Sequence, residues 1–560
     1  MGDYFSVSFT YKDFFGEEPN KSIEELIINI DREKALLFIA NLNAQSHMPK
    51  DLRPQLIFLQ SWISDFSTEL KERIIEVIQP HIDSGNLNFI HQPASLHLIQ
   101  KLIEKGKTTG KDIATEQKID LLKAYLISSE IYVEKDIPPN LDVTNTADFI
   151  KWSLETQLPI SDLKKGKKFY IQIFKSVELF SFFESYSSST QDLLSDYLEA
   201  KSFSSWNEYL RSILLVYTQG LFNANQEIKN ALVNTDGEKF AHNLLDQLCI
   251  DETNYSPQKD FIELRDKPIL KIEENLFLVL SIDLFLNKIF DGIIFDIHST
   301  LRGNNYEGFD ISDLGNFKSF LGDNFIEEVL LYKVLDFIKQ KDWETYQGED
   351  LLQDHPGSPD YLIKRKTKIF IIESKDILIN KDIKYSRDLG KITNYLFSRL
   401  IKDKDNSPKG ISQILNYIGQ LVNKEVENID FEHSNNLKYY PIVIVTDKCL
   451  DENGINNWLI DQFTNLRKGY SKDVQIKLPV ILQLDDLIEH SHIYKSGTLK
   501  LNSIFDAYLD YLYTDSHQHP FKKTDPYSNF ISRTKREKFK NSPVPENSII
   551  RSSIDMLLQD

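Results

Sequence analysis

The stretch PDYLIKRKTKIFIIESK, Pro359 to Lys375, contains two apolar runs of strand length, YLI and KIFIIES. They are joined by the polar turn KRKT and preceded by turn chemistry at Pro356, Gly357 and Pro359. This pattern predicts a tight antiparallel hairpin. Side chains alternate faces along a strand, so Glu373 and Lys375 share one side while Ser374 points to the other. Asp360, opening the first strand, comes alongside that pair across the ladder. Two carboxylates and an amine gathered at the end of a buried strand are costly to desolvate unless something binds between them. A divalent cation would lower that cost. Asp360, Glu373 and a nearby backbone carbonyl, that of Ser374, are hard oxygen donors of the kind Mg²⁺ (or Mn²⁺) takes. Lys375 would then hold or help deprotonate an attacking water. The competing reading is a strand-end salt bridge, which an isolated E-x-K gives most often.

The flanking sequence bears on that choice. Upstream, LGDNFIEEVLLYKVLDFI is an amphipathic helix carrying Glu327 and Glu328. Downstream, SPKGISQILNYIGQL is a helix carrying Gln413. The order of helix acid, Pro359-Asp360, twelve intervening residues, Glu373-Ser374-Lys375 and helix Gln413 resembles the PD-(D/E)xK superfamily of nucleases, also called restriction-endonuclease-like. The resemblance covers roughly residues 321 to 445. It implies a mixed sheet flanked by helices and an Mg²⁺-dependent endonuclease acting on DNA ahead of RNA. In that frame Asp360 and Glu373 hold the metal, and Lys375 serves the water. Glu327 or Glu328 completes the acidic cluster or a second metal site, and Gln413 orients water or phosphate. Glu327 shares a helical stripe with Leu331, Val334 and Ile338, and Glu328 shares one with Leu331, Leu335 and Ile338, so spacing does not choose between them. The plain alternatives are an exposed glutamate favoured by the helix dipole and, for Gln413, an ordinary polar helix position.

The rest of the chain sets limits on function. With 560 residues, 41% hydrophobic and 12% aromatic, it is long and apolar enough for two or three folded domains. Two cysteines, Cys249 and Cys449, exclude a disulfide framework or a cysteine zinc site and point to a reducing, cytoplasmic compartment. MGDYFSVSFT has no secretory character, and Gly2 with Ser6 fits the myristoylation pattern only weakly. LFLVLSIDLFL is short and interrupted by Ser281 and Asp283, so no membrane span is expected. The formal net charge of −19 repels a phosphate backbone at long range, so binding needs local basic patches. Lys364, Arg365 and Lys366 are the candidate nucleic-acid contacts, taken as lying beside the site. Other charge runs, Lys164 to Lys168 and Arg533 to Lys540, read as solvated surface. His490/His492 and His517/His519 lack a third ligand at diagnostic spacing and read as surface histidines. No phosphate-binding G-x-x-x-x-G-K-[ST] loop and no G-x-S-x-G elbow is present.

The expected fold class is multi-domain. An irregular N-terminal all-α domain spans 1–255, and a hairpin-helix connector turning at Glu273-Glu274-Asn275 spans 256–310. An α/β restriction-endonuclease-like core spans 311–495, with strands in YYPIVIV and KLPVILQ. A C-terminal helix and a partly mobile basic tail span 496–560. The helical domain, with no chemistry of its own, is the expected site for a protein partner. By analogy the whole suggests a bacterial defence (anti-phage) or genome-processing effector, with oligomeric state left open and a dimer among the options. The alternative is a helical interaction or scaffold protein whose nuclease-like module binds nucleic acid or a partner without cutting.

Overall fold

In the computed structural model the described residues are 9–45, 52–83, 89–133, 145–164, 168–221, 230–352, 357–426, 429, 431, 433–513, 520–534 and 548–558. Gly2, Ser6, Lys165, Lys167, His517, His519, Lys535, Arg536, Lys538 and Lys540 lie outside them. Contacts divide the chain into two compact units. One is Met1–Pro139, Leu163–Ser176 and Phe183–Ser312; the other is Asn140–Asp162, Val177–Phe182 and Asp313–Asp560. The segment 256–310, expected as a connector, thus belongs to the first unit, and two stretches before residue 183 belong to the second.

The first unit is dominated by helices, as the recurrence of apolar residues every three to four positions predicts. Ser22 caps the helix Ile23–Ile27 in the expected box: its Oγ accepts from the Glu25 N–H at 3.2 Å, and the Glu25 carboxylate accepts from the Ser22 N–H at 2.7 Å. Aromatic side chains form core here: Trp62 and Phe89 meet edge to face at 6.1 Å, and the Tyr125 hydroxyl donates to the Phe89 carbonyl at 3.1 Å. The unit is not all-α. Strands β1 (Leu232–Asn234), β2 (Ile269–Glu273) and β3 (Leu276–Val279) form an antiparallel sheet in the order β1-β3-β2. The β2–β3 hairpin turns where Glu273-Glu274-Asn275 predicts it. β1 is only three residues long, too short to register as a periodicity.

The second unit is built on a mixed sheet of six strands among the described residues. They are β4 (Glu344–Gln347), β5 (Tyr361–Arg365), β6 (Lys368–Lys375), β7 (Lys438–Val445), β8 (Gln475–Ile476) and β9 (Val480–Gln483). The order is β4-β5-β6-β7-β8, with β9 also pairing β7. β4, β5 and β6 form an antiparallel meander, whereas β7 runs parallel to β6 and to β8 and β9. β6 and β7 are buried along almost their whole length, as central strands covered on both faces must be. One face carries Leu362, Ile369, Ile371 and Val443 against the helices Leu389–Leu400, Ile411–Val422 and Ile455–Arg467. On the other, Phe370 stacks on Tyr440 at 4.9 Å and meets Phe505 at 6.3 Å. Residues 520–534, expected in a mobile tail, form the helices Pro520–Lys523 and Tyr527–Thr534, with Tyr527, Phe530 and Ile531 buried. Arg533 is drawn in by the buried Asp525 at 2.7 Å, so that part of the basic run is structural. Among the described residues no helix is long and apolar enough to cross a membrane.

Candidate active site

β5 and β6 pair with Tyr361 opposite Ile372, so one step further Asp360 faces Glu373. Both continue the face that carries Leu362, Ile369 and Ile371. On the far side of β6, Val443 stands opposite Glu373 and Val445 opposite Lys375, which walls the acid in with aliphatic side chains. Asp360 Oδ2 accepts from the Ser374 N–H at 2.5 Å, and the Asp360 carbonyl accepts from the Gly348 N–H at 2.8 Å. A side chain at 348 would be crowded: a Cβ there would lie 3.0 Å from the Tyr332 hydroxyl and 3.2 Å from the Asp360 carbonyl oxygen, so these neighbours would have to give way by a few tenths of an ångström. Glu373 is fully buried. Its Oε1 meets Lys375 Nζ at 2.6 Å, while its Oε2 is buried with no hydrogen-bond partner.

The third carboxyl comes from the long helical segment ahead of the sheet. Leu314–Leu321 and Tyr332–Ile338 are α-helical, but Gly322–Leu331 between them winds with the wider i→i+5 bonding of a π-helix. Glu327 lies on that wide stretch and hydrogen-bonds Asp360 side chain to side chain. Glu328 acts on its neighbour Tyr332. The structure thus separates two residues that helical spacing could not. Gln413, on the helix Ile411–Val422, donates through Nε2 to the Ser358 carbonyl at 3.3 Å, which ties that helix to the strand opening two residues before Asp360.

Burial governs the charges. It pushes the Glu373 carboxyl up to about 8 against the pull of Lys375, with Asp360 pushing the same way. Burial also raises Glu327, reinforced by the charges of Asp360 and Glu373, and raises Asp360 despite Lys375 and the Ser374 N–H. The hydrogen bond between the two side chains works in opposite directions, raising Glu327 and lowering Asp360, as a proton kept on Glu327 and donated to Asp360 would do. Burial pulls the Lys375 ammonium down, but Glu373 and Asp360 carry its pKa above the ordinary lysine value, so it stays charged. Two further groups that the sequence motif does not mark belong to this electrostatic cluster. Asp323, one helical step before Glu327, is raised by burial with Asp376 adding and Lys375 and Lys409 opposing, and Lys409 also acts on Glu373. The i, i+4 spacing of Asp323 and Glu327 was a signal for the first; Lys409 had none.

The basic turn lies elsewhere. Asp360 opens β5 and Glu373 closes β6, so Lys364, Arg365 and Lys366 are at the opposite end of the hairpin, about 17 Å away by strand rise. Lys364 pairs with Glu344 and lies over the Phe431 ring, and Arg365 Nε meets Asp342 at 2.7 Å. Lys366 makes the turn, with φ +55°. The expectation that this turn stands beside the site is corrected by the strand geometry. Asp447, the other acid near a strand end, caps its own turn by accepting from the N–H groups of Cys449 at 2.8 Å and Ile379 at 3.1 Å.

The donor set suits a hard divalent cation: carboxylate oxygens throughout, with Glu373 Oε2 lacking the partner that a buried acceptor needs. Ser374 sits in the β6–β7 ladder opposite Ile444, with its N–H already given to Asp360. The one group among the described residues that brings three ligand atoms within 4.8 Å of one another is elsewhere, Asp486, Glu489 and His490 on the helix Leu484–Lys495. His490 Nδ1 there lies 2.8 Å from the Asp486 carbonyl oxygen within the same helix. Compared with family models, curated proteins and solved structures, the chain matches none.

Proposed function

We propose that this chain is a metal-dependent nuclease, hydrolysing phosphodiester bonds of DNA ahead of RNA, with a restriction-endonuclease-like core in its second unit. The observation that carries the reading is Glu373: a fully buried carboxyl with one oxygen on Lys375 and the other without a partner, directly across the ladder from a second buried carboxyl. A structural salt bridge would use one carboxylate for one ammonium. Here Asp360, Glu373 and Glu327 converge on Lys375, an excess of acid that only protonation or a bound cation relieves.

Asp360 and Glu373 would hold Mg²⁺ or Mn²⁺. When bound, the ion supplies Lewis-acid stabilisation of the charge that develops at phosphorus and lowers the pKa of water. Lys375 keeps its proton in this environment, so its part is to orient the attacking water and to share negative charge near the reacting phosphate. Glu327, hydrogen-bonded to Asp360, would fix the orientation of that carboxylate. Gln413 holds the helix against the residues leading into Asp360 and so aligns the first ligand. The helical first unit would carry partner recognition.

The test is cleavage. Purified protein incubated with supercoiled, linear and single-stranded DNA and with RNA should cut at least one of them in Mg²⁺ or Mn²⁺ and none in EDTA. A protein that binds nucleic acid but cuts none of these in either metal would instead be the scaffold with a nuclease-like binding module.

A further inference from the structure

The chain turns as soon as it leaves β6. The Ile377 N–H donates to the Lys375 carbonyl at 3.0 Å, and the Leu378 carbonyl accepts from the Tyr395 hydroxyl at 2.7 Å. Tyr395 stands on the helix Leu389–Leu400, whose Ile392, Leu396 and Leu400 share one core with Ile377 and Ile379. Three residues of chain span at most about 11 Å, so the Tyr395 bond fixes this helix close to the end of β6 that carries Glu373 and Lys375.

The sequence of that helix, LGKITNYLFSRL, contains no acid. With Ile392, Leu396 and Leu400 turned to the core, steps of four residues put Lys391, Tyr395 and Arg399 in one stripe along its flank. Lys391 and Arg399 are exposed, and Tyr395 is partly buried against the core. The Arg399 guanidinium lies over the Tyr395 ring at 5.4 Å and hydrogen-bonds its side chain, which leaves most of its five N–H donors to solvent. Among the described residues neither Lys391 nor Arg399 is in an ion pair. Asp388, the acid nearest in the chain, caps the helix by accepting from the Lys391 N–H at 3.1 Å. Leu378, whose carbonyl takes the Tyr395 bond, is itself 46% exposed.

These cations differ from those of the hairpin turn, where Lys364 and Arg365 are each taken up by an acid. A chain with a net charge of −19 has no long-range attraction for a polyanion, so cations without an acid beside them are where a phosphate backbone can settle. Lys391 and Arg399 are about 12 Å apart by helical rise, and phosphates recur about every 3.4 Å of rise along one strand, so the stripe covers about three of them. Between the two cations lie a guanidinium plane and an exposed leucine. A base face can rest on such surfaces only where it is not already stacked in a duplex.

We propose that Lys391, Tyr395 and Arg399, with Leu378, form a contact surface for a single-stranded stretch of nucleic acid next to the cleaved phosphate. This rests on the nuclease reading above. Lys391 and Arg399 take phosphates on either side of a base laid against Leu378 and the Tyr395–Arg399 stack, and the strand runs on from there toward Lys375 and Glu373.

The experiment uses the full-length chain in two arms. One is fluorescence anisotropy in EDTA with fluorescein-labelled oligothymidylate and a labelled duplex of equal length, across a KCl series; the other is steady-state cleavage of single-stranded DNA and RNA in Mg²⁺. Thermal unfolding checks that each variant is folded. Lys391→Gln/Arg399→Gln should weaken oligothymidylate binding about tenfold and reduce the salt slope by about 1.4, which is 0.7 for each of two phosphate contacts. Leu378→Ala should weaken it about threefold with the slope intact. In both variants KM should rise with the loss of binding while kcat stays within about twofold. Lys364→Gln/Arg365→Gln removes the same charge at the other end of the hairpin and should change neither affinity nor slope. A wild type that cuts while Lys391→Gln/Arg399→Gln keeps both affinity and slope overturns this proposal alone. So does an equal loss in Lys364→Gln/Arg365→Gln, which would make the effect one of net charge, and so does a loss on duplex as large as on oligothymidylate. A wild type that cuts no nucleic acid overturns the nuclease reading and, with it, the stripe as a substrate contact.

Discussion

The two ends of one hairpin treat charge in opposite ways. At the turn, Lys364 and Arg365 each face one acid across a short distance, and those acids, Glu344 and Asp342, are 51% and 41% exposed to solvent. At the open end, Asp360, Glu373 and Glu327 press on one ammonium with aliphatic strands around them, and all three carboxyls are pushed up. Matched, wetted charges are what a surface does for solubility and contribute little to stability. Mismatched, buried ones cost folding free energy and persist where something else is gained. That contrast is why we propose function at the acidic end and read the basic end as ordinary surface, although the sequence motif invites the opposite emphasis for substrate binding.

The largest effects should come from removing the acids. Asp360→Ala or Glu373→Ala should lower metal-dependent cleavage by about 10³-fold or more, the scale of losing an electrostatic group at the reacting centre. Retained EDTA-sensitive cleavage in a folded Glu373→Ala/Lys375→Ala protein would move the chemistry elsewhere in the chain. Next, Lys375→Ala should cost about 10² to 10⁴ in kcat while Mn²⁺ binding, followed by electron paramagnetic resonance, changes only a few-fold. Equal losses in binding and rate would make Lys375 a support for Glu373 and nothing more.

Protons give the third and smaller effect. At pH 7 the cation must displace protons from Glu373 and Glu327, so affinity should climb as pH rises toward about 8, and titration calorimetry in HEPES and Tris should show proton release. Glu327→Gln should remove about one of those protons. Without metal the sign reverses. A carboxyl raised in the fold supports stability below its ordinary value and loses that support as pH rises through the raised one. Unfolding free energy should therefore decline between about pH 4.5 and 8, by on the order of 5 kcal/mol for Glu373, and Glu373→Gln should flatten the decline. The smallest effect belongs to the other end. Replacing Lys364, Arg365 and Lys366 by alanine should cost less than about 1 kcal/mol in unfolding and leave the salt slope of cleavage unchanged. A slope that drops in that variant would break the contrast between the two ends.

What could be read from the residues follows the strength of the local signal. The β5–β6 hairpin, β7 and β9 were legible because apolar runs between turn residues leave few alternatives. β4 was not, because ETYQ is polar and half-exposed at the sheet edge, and β8 has only two residues. Glu327 and Glu328 were indistinguishable because helical spacing assumes one winding, and the helix changes winding where they sit. The basic turn was misplaced by treating closeness along the chain as closeness in space, when a hairpin carries its turn as far as possible from its open ends.

The parallel pairing of β6 with β7 also sets an order of assembly. β5 and β6 are joined by two residues and can pair within microseconds. The partner on the far side of β6 arrives only after the chain has passed through the helices Lys381–Lys384, Leu389–Leu400 and Ile411–Val422, a long closure that is slow to form. Asp360 and Glu373 thus come together early, while water still bathes them, and their charges are stripped of solvent in the last step, when β7 and the Gln413 helix dock. Proton uptake should accompany that slow step. Refolding of the metal-free chain, followed by stopped flow, should then be faster at pH 6 than at pH 8, so the chemistry the site is built for would be written into the speed at which the protein folds.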